Sequence, residues 1–156
     1  DGVSLESRAL ALPLYNQDED GPASPPSVVA LREAVTASDG LVIVTPEYNY
    51  GMSGVLKNAL DWISRPYGKS AIAGKPALVI SVSPAVTGGV RAQGQLHMTL
   101  LGMQARIVPG PQVVIGSARE KICDGRLTDE ATLAFARDAI GRMVDEIRML
   151  SAAGRP

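Results

Sequence analysis

The sequence predicts an α/β fold in which an open parallel sheet carries helices on both faces. Strand-like and helix-like segments alternate along the chain, as they do in βαβ units. The two clearest strands, Leu41–Val44 and Pro76–Ser83, are almost wholly apolar, which is typical of strands buried on both sides. The 156 residues suit one domain, so a single domain over residues 1–156 is expected.

Two further elements are expected before the first of these strands. Val3–Leu10 alternates loosely between apolar and polar residues and predicts a weak strand. After a loop rich in Pro, Gly and acidic residues, a helix is expected from about Ser27, a suitable N-cap. Its apolar residues recur at helical spacing on one face: Val28, Leu31, Ala34 and Val35.

The rest of the chain continues the alternation. Val55–Arg65 has the apolar spacing of a helix, and a second helix is expected from Gly88 to Met103. Apolar residues around Ile107 and at Val113–Ile115 predict one interrupted strand or two short ones.

A long helix is expected from Thr128 to about Ser151. Thr128 is the expected N-cap, and Asp129 and Glu130 place negative charge in the first turn, where the helix dipole favours it. The expected apolar face consists of Leu133, Ala136, Ile140, Val144 and Ile147.

The composition excludes several classes of function. With 15 Lys and Arg against 16 Asp and Glu, the chain has no basic excess for nucleic acid or an anionic membrane. Its apolar runs are far shorter than the roughly 20 residues that span a bilayer, and no secretory signal opens the sequence. A single cysteine, Cys123, fits a reducing compartment. A cytoplasmic location is therefore expected.

The chain is also poor in catalytic side chains. His97 and Cys123 are single residues of their type and cannot assemble a metal site, and a Ser–His–Asp triad would require a helical His97. Gly68–Ser70 lacks the first glycine of a phosphate-binding P-loop. Around Ser53 the second glycine of a nucleophile elbow is Val55, so Ser53 is interpreted as an N-cap or turn residue. This scarcity indicates a bound cofactor.

Two loops are the candidate ligand site. In open parallel sheets, ligands bind at the carboxyl ends of the strands. Thr45–Gly54 and Ser83–Gly89 lie at such ends, each between a strand and a helix. The second loop closes with Gly88 and Gly89, which predict a nest of N–H groups at a helix start.

The first loop has the composition of a pocket for a planar ligand. Pro46 ends the strand, and Gly51 and Gly54 allow backbone conformations or close approaches that a Cβ would block. Tyr48 and Tyr50 supply flat, rigid surfaces. Loop N–H groups at the positive end of the next helix are suited to the edge of a heterocycle.

Each of these residues also has a purely structural interpretation. Tyr48 and Tyr50 are alternatively loop anchors, and Glu47 a solvated loop charge. Trp62 is expected in the core or in a subunit interface, and Arg91 is expected to be a solvated helix charge unless a partner subunit meets it.

Three segments resemble one known family. TPEYNYGMSGVLKNALDWISR, Thr45–Arg65, is similar to the P-E-Y-N-x-x-x-x-G-x-L-K-N-A-x-D-W segment of the NADPH-dependent FMN reductase family, which includes soluble quinone, chromate and azo-dye reductases. LPLYNQD at Leu12–Asp18 and GKPALVIS…GGVRAQ at Gly74–Gln93 resemble the same family in the expected order.

The resemblance implies a flavodoxin-like fold with FMN at the carboxyl ends of the strands, in a homodimer or homotetramer. It places Tyr50 near the flavin ring or at the pocket mouth, and Ser83 with Gly88 and Gly89 beside the flavin from the neighbouring loop. The residues implied to frame the isoalloxazine ring, largely through backbone groups, are Pro46, Glu47, Tyr48 and Asn49.

The implied activity is that of an FMN-dependent NAD(P)H oxidoreductase. NADPH or NADH gives hydride to flavin N5, and a small-molecule acceptor such as a quinone, chromate, an azo compound or free flavin then uses the same face, which implies ping-pong kinetics. No side chain is assigned as catalytic. The alternatives are a non-enzymatic flavin-binding electron carrier and a cofactor-less interaction protein of the same fold.

The sequence departs from the family pattern in two places. The family's S-x-G after the strand is here Ser83-Pro84-Ala85, which puts the position of Ser83 in doubt. The chain also starts near the family's second strand, so the first strand, its helix and the phosphate-binding loop are expected to be missing from this sequence. An N-terminally incomplete domain is therefore expected.

Overall fold

The computed structural model describes residues 2–154, which form a four-stranded parallel sheet, two small hairpins and five α-helices. The strands are β1 (Leu41–Thr45), β2 (Glu47–Tyr48), β3 (Gly51–Met52), β4 (Pro76–Val82), β5 (Arg106–Ile107), β6 (Val113–Ile115), β7 (Ile122–Cys123) and β8 (Arg126–Leu127). The helices are α1 (Pro26–Ala37), α2 (Gly54–Ile63), α3 (Val90–Gly102), α4 (Ala118–Lys121) and α5 (Glu130–Ala152), and a short 3-10 helix spans Gln17–Glu19.

The central strand of the sheet is β4. β1 pairs along one edge, from Leu41 opposite Ala77 to Thr45 opposite Ser81. β5 and β6 pair one after the other along the other edge, and all of these pairings are parallel. The apolar residues around Ile107 and Val113 thus form the two short strands that the sequence allowed.

Successive residues of β4 point into two separate cores, as the pleat of a strand requires. Ala77 and Val79 belong to a cluster with α1, α2 and α3, whereas Leu78 and Ile80 belong to a cluster with α5. Helices therefore cover both faces of the sheet, and the predicted α/β fold is confirmed.

The prediction of burial on both sides is wrong for one face of β1. Ile43 is 8% exposed, but Val44 on the opposite face is 59% exposed. Among residues 2–154, β1 pairs with β4 alone, and α5 packs over β4 and β6. The end of β1 that contains Val44 is consequently uncovered in the described part of the chain.

The strand predicted at Val3–Leu10 is also wrong, because this segment has no regular secondary structure. Val3 and Leu5 are 62% and 84% exposed. Loose alternation cannot make a strand without a neighbouring strand to supply hydrogen bonds, and no described strand pairs with this segment.

Helix α1 begins one residue earlier than expected, and Ser27 is not its N-cap. The cap position is Pro25, which offers no side-chain hydrogen bond, and Pro26 occupies the first turn, where its fixed φ suits a helix. Val28, Leu31 and Val35 are buried as predicted.

A buried lysine closes the other end of α1. The Lys75 ammonium donates to the carbonyl oxygens of Val35 at 2.8 Å, Thr36 at 2.5 Å and Ser38 at 2.6 Å. Desolvation lowers the pKa of Lys75, an effect that the nearby Asp39 carboxylate opposes. The last carbonyls of α1 thus find a charged donor from the start of β4.

Two expectations for α5 need correction. Asp129 is the N-cap, because its carboxylate accepts from the Thr132 N–H at 2.9 Å. Hydrogen bonding with the Thr132 side chain, and then with its backbone N–H, lowers the pKa of Asp129. Thr128 instead donates its hydroxyl to the Lys121 carbonyl oxygen. The buried face is also partly different, since Ile140 is 40% exposed. The buried residues are Ala136, Ala139, Met143 and Leu150.

The remaining elements follow the sequence closely. Helix α2 ends at Ile63, two residues before the expected Arg65, and Ser53 is its N-cap through a bond from the Leu56 N–H at 3.3 Å. The β7–β8 hairpin and α4 were not expected. Within residues 2–154, no helix combines the length and apolar character needed to cross a bilayer.

We expect Lys75→Met to reduce the free energy of unfolding by about 2–4 kcal/mol, because it leaves the α1 carbonyls without their charged donor. Urea unfolding at neutral pH measures this loss. Lys69→Met is the matched control, since Lys69 is exposed and its substitution should cost less than about 0.5 kcal/mol. Equal costs for the two variants would contradict the capping role.

We also expect stability to fall when the pH is lowered through the titration of His97. Burial lowers the pKa of this half-buried imidazole below its ordinary value of 6.5. Between the folded pKa and 6.5 the unfolded chain binds more protons, so the free energy of unfolding decreases as the pH decreases. In His97→Gln this contribution should be absent. Urea midpoints of both proteins between about pH 7.5 and pH 5 test it, and identical pH profiles would refute it.

Candidate cofactor site at the strand ends

The register of β1 and β4 brings the two candidate loops together. Thr45 and Ser81 face each other at the ends of these strands, and both are buried. The chain then turns into the β2–β3 hairpin after β1 and into the Ser83–Gly89 loop after β4. A Cβ on Gly89 would lie 3.5 Å from the Glu47 Cβ, so the loops are in direct contact.

The predicted pocket loop is a tight hairpin rather than an irregular loop. Glu47 pairs with Met52 and Tyr48 with Gly51, which leaves Asn49 and Tyr50 as the two turn residues. Both have positive φ, 49° and 66°, which is the conformation of a type I′ turn. This turn normally favours Asn and Gly, so a tyrosine at its second position is unusual.

The hairpin holds both tyrosine rings in the open. Tyr48 is 63% and Tyr50 is 74% exposed. Neither ring therefore anchors the loop by burial in the core. Flat rings that the fold leaves uncovered are available to a planar ligand or to substrate.

Glu47 is not a solvated loop charge. Its side chain is 10% exposed, and its carboxylate accepts from the backbone N–H groups of Arg91 at 2.9 Å and Ala92 at 3.3 Å. It also pairs with the Arg91 guanidinium at 3.2 Å. The carboxylate thus occupies the positive end of α3, where the helix dipole stabilises it.

This contact changes the interpretation of the Gly88–Gly89 turn. The first N–H groups of α3 beyond the turn bind an anion, but that anion is the protein's own Glu47 carboxylate. The two glycines have φ values of 58° and 88° and are buried. A Cβ on Gly88 would lie 2.8 Å from the Gly116 nitrogen, so the turn needs glycine to pack against the strand ends.

The Ser83-Pro84-Ala85 departure produces a loop that is fixed at several points. The Ser83 N–H donates to the Ile115 carbonyl, and the Ser83 hydroxyl accepts from the Ala85 N–H at 3.2 Å. The Ala85 carbonyl in turn accepts from the N–H groups of Gly88 and Ser117. Ser83 therefore stays at the end of β4, beside the hairpin.

Gln93 is a buried polar residue for which sequence reasoning had no role. Its amide nitrogen donates to the Ser81 hydroxyl at 2.9 Å and to the Val113 carbonyl at 2.7 Å. Its amide oxygen is buried and has no partner among the described residues. The GGVRAQ segment contains Gln93, but nothing in the pattern distinguishes a buried glutamine from an exposed one. The side chain joins α3 to the end of β4 and the start of β6.

Helix α2 is fixed from the opposite side. The Pro13 carbonyl accepts from Trp62 Nε1 at 2.8 Å and from Asn58 Nδ2 at 2.9 Å, and the Tyr15 N–H donates to Asn58 Oδ1 at 2.8 Å. Trp62 is fully buried, which confirms the expected packing role. The LPLY segment thereby holds the helix that follows the hairpin.

The donors at this edge suit the neutral, planar part of a flavin. The N–H groups of Asn49 and Tyr50 have no acceptor among residues 2–154, and they lie beside the exposed rings. The edge of an isoalloxazine ring offers acceptor atoms for such donors. The amides at the start of α3 are already occupied by Glu47, so they are not a phosphate site. In the described residues, no cluster of His, Cys, Asp and Glu suits a metal ion.

Comparison with known proteins supports this chemistry. The model of the NADPH-dependent FMN reductase family matches residues 3–120. An NAD(P)H-dependent FMN reductase of Pseudomonas aeruginosa is 39% identical over 150 residues, which cover 95% of this chain and 78% of that protein. A quinone reductase of Escherichia coli is 40% identical over 140 residues, which cover 84% of this chain and 73% of that protein.

This chain belongs to the NADPH-dependent FMN reductase family. It is an oxidoreductase that uses FMN and takes electrons from a reduced nicotinamide nucleotide. The carrier and the cofactor-less alternatives are set aside by this assignment. Among solved structures, the flavoenzyme NAD(P)H:(acceptor) oxidoreductase FerB from Paracoccus denitrificans superimposes with a TM-score of 0.77 at 38% identity, over 89% of this chain and 76% of that one. The flavodoxin-like fold is thereby confirmed.

We expect Gly88→Ala to destabilise the protein by about 2–4 kcal/mol, because the added Cβ meets Val114 and Gly116 and the residue has positive φ. Thermal or urea unfolding measures the loss. The expectation that position 54 needs glycine is wrong, because a Cβ there has nothing within 4 Å. Gly54→Ala is therefore the control, and it should change stability by less than about 0.5 kcal/mol. A Gly88→Ala protein as stable as the Gly54→Ala protein would contradict the packing argument.

Proposed function

We propose that this reductase passes electrons from NADPH or NADH to quinones, through FMN seated between the β2–β3 hairpin and the Ser83–Gly89 loop. The observation that carries the proposal is the hairpin itself. It presents two exposed aromatic rings and two free N–H groups at the carboxyl end of β1, next to the loop that follows β4. Ligands of open parallel sheets bind at this edge.

Each candidate residue then has a defined duty. Pro46 and Glu47 fix the path of the chain as it leaves β1, Pro46 by its ring and Glu47 by its bonds to α3. Asn49 and Tyr50 offer backbone N–H groups to the acceptor edge of the ring. Tyr48 and Ser83 border the ring from either side, Ser83 through a hydroxyl that is free to donate.

Gly88 and Gly89 act indirectly, through the packing that they allow. Gly88 and Gly89 allow the β4 loop to approach the hairpin closely, and they bring α3 near enough for Glu47 to reach its first amides. They would therefore border the flavin without themselves contacting the reacting atoms.

FMN held by the hairpin and the Ser83–Gly89 loop would supply the redox chemistry between NAD(P)H and an acceptor. Use of the same open face by both substrates would give ping-pong kinetics. The chain contributes binding and orientation through its loop N–H groups. Quinones are the proposed physiological acceptor class because several relatives are named quinone reductases. Chromate, azo compounds and free flavin are proposed as further acceptors, since an open face selects weakly.

We also propose a cytoplasmic homodimer or homotetramer built from one domain per chain. The single exposed cysteine suits a reducing compartment. Exposed apolar residues on α3, Met98 and Leu101, are 69% and 62% exposed and supply surface that a subunit contact would cover.

The test is an absorbance spectrum of the purified protein incubated with FMN and freed of excess, followed by anaerobic addition of NADPH. We expect flavin bands that bleach with NADPH and return when a benzoquinone is added. Double-reciprocal plots at several quinone concentrations should give parallel lines.

The possible outcomes separate the parts of the proposal. A protein that takes up FMN but leaves its bands unchanged with both NADPH and NADH would refute the reductase activity. Intersecting lines would refute the shared face while leaving the cofactor in place. A retained flavin that reduces no quinone would refute the acceptor class.

A further inference from the structure

The β2–β3 hairpin cannot hold its own conformation. Each strand contributes two paired residues, and even longer isolated hairpins are marginal in water. Its turn adds strain, because Tyr50 has a φ of 66°, a region that is unfavourable for a residue other than glycine. Contacts from elsewhere in the fold must therefore supply the stability of the hairpin.

Those contacts come from one face of the first turns of α3. The Gln95 side-chain oxygen accepts from the Met52 N–H at 2.8 Å and fixes β3. Arg91, one helical turn earlier, places its guanidinium 4.5 Å from the centre of the Tyr50 ring. Gly51 allows this approach, since a Cβ there would lie 2.9 Å from the Gln95 oxygen.

The Arg91 guanidinium is set in place by Glu47. One of its nitrogens lies 3.2 Å from the Glu47 carboxylate, while its Cζ lies over the Tyr50 ring. The same carboxylate keeps its two backbone bonds to α3 whether or not the arginine side chain is present. Truncation of Arg91 therefore removes the cation–π contact with Tyr50 and leaves the two bonds between Glu47 and the start of α3 intact.

The contribution of Arg91 to global stability is expected to be small. Its side chain is 50% exposed, and exposed ion pairs contribute little to folding. Its one specific contact beyond Glu47 is a tyrosine that is itself 74% exposed. The contact between Arg91 and Tyr50 leaves both side chains largely exposed, so it adds little to the core. It therefore points to a role for the Tyr50 ring at the protein surface.

We propose that Arg91 is a positioning residue that holds the Tyr50 ring at the mouth of the flavin site. The inference rests on the proposed function for its purpose, but the clamp itself is a property of the flavin-free chain. Arg91 acts through Tyr50, and Gln95 fixes the adjoining strand. Because the ring is held before any ligand arrives, the site does not have to order it on binding.

The first experiment uses the flavin-free protein. We expect Arg91→Ala to accelerate hydrogen exchange of the hairpin amides about two- to fivefold, the equivalent of a cation–π contact at an exposed site. Tyr50→Leu should have the same effect, and the double variant should exchange no faster than either single variant. Tyr50→Phe, which keeps the ring, should exchange like the wild-type protein. Independent effects that multiply in the double variant would overturn the clamp.

The second experiment uses the FMN-loaded protein and a benzoquinone. We expect Arg91→Ala to raise the KM for quinone about two- to fivefold and to leave kcat within about twofold of the wild-type value. The reason is that a ring held in place binds the quinone equally well in the ground state and in the transition state. Arg91→Lys keeps the charge beside Glu47 but lacks the flat guanidinium, so it should restore the KM only in part. Arg148→Ala is the control, because Arg148 is exposed and pairs only weakly with Asp145 at 3.6 Å. A KM that Arg91→Ala and Arg148→Ala leave equally unchanged would overturn the role in substrate binding.

The two proposals fail separately. If the wild-type protein takes up no FMN, the proposed function fails whatever the hydrogen exchange shows. If FMN binds and is reduced, but Arg91 and Tyr50 act independently in the flavin-free chain, only the clamp fails.

Discussion

The parallel pairing of β1 with β4 is the constraint on which the candidate site depends. Because Thr45 lies opposite Ser81, the two chains leave the sheet side by side and their loops must share one small region. β4 tolerates this crowding since it is buried along nearly its whole length and cannot shift without disturbing two cores at once. The glycines of the β4 loop then become a requirement, because a side chain at Gly88 has no room against the end of β6. The geometry of the candidate site thus depends on packing inside the sheet.

Electrostatics divide the edge into a charged part and a neutral part. The positive end of α3 is normally an anion site, but here the Glu47 carboxylate satisfies its first amides. A phosphate at the same place would meet that carboxylate and be repelled. What the edge still offers is exposed aromatic surface and, in the hairpin turn, N–H groups without an acceptor among residues 2–154, which suit an uncharged planar ring. On the proposed function, this edge would therefore face the ring of a flavin nucleotide and not its phosphate.

The sequence predicted the fold and the two loops that meet at the strand ends, but not the contacts between those loops. Apolar runs such as Pro76–Val82 identify buried strands because every position is apolar, whichever face it occupies. The exposure of Val44 was missed, since a residue's pattern cannot say whether a neighbouring element covers it. Glu47 and Arg91 looked like ordinary surface charges, because their contact joins residues 44 positions apart. Helix caps were missed by one or two residues, where competing Ser, Thr, Asp and Pro stand together.

The choice of tyrosine at the second turn position explains why α3 is so closely tied to the hairpin. Glycine would adopt the same φ without strain and would need no support from Arg91. It would also leave no surface at the mouth of the site. A tyrosine supplies that surface only if the fold offsets the strain. The first turns of α3 do so through Arg91 and Gln95 and through the backbone N–H groups that bind Glu47 of the hairpin. The strained turn and the first turns of α3 therefore form one structural unit. The contacts from α3 make the strained turn possible, and the tyrosine in that turn explains why α3 makes those contacts.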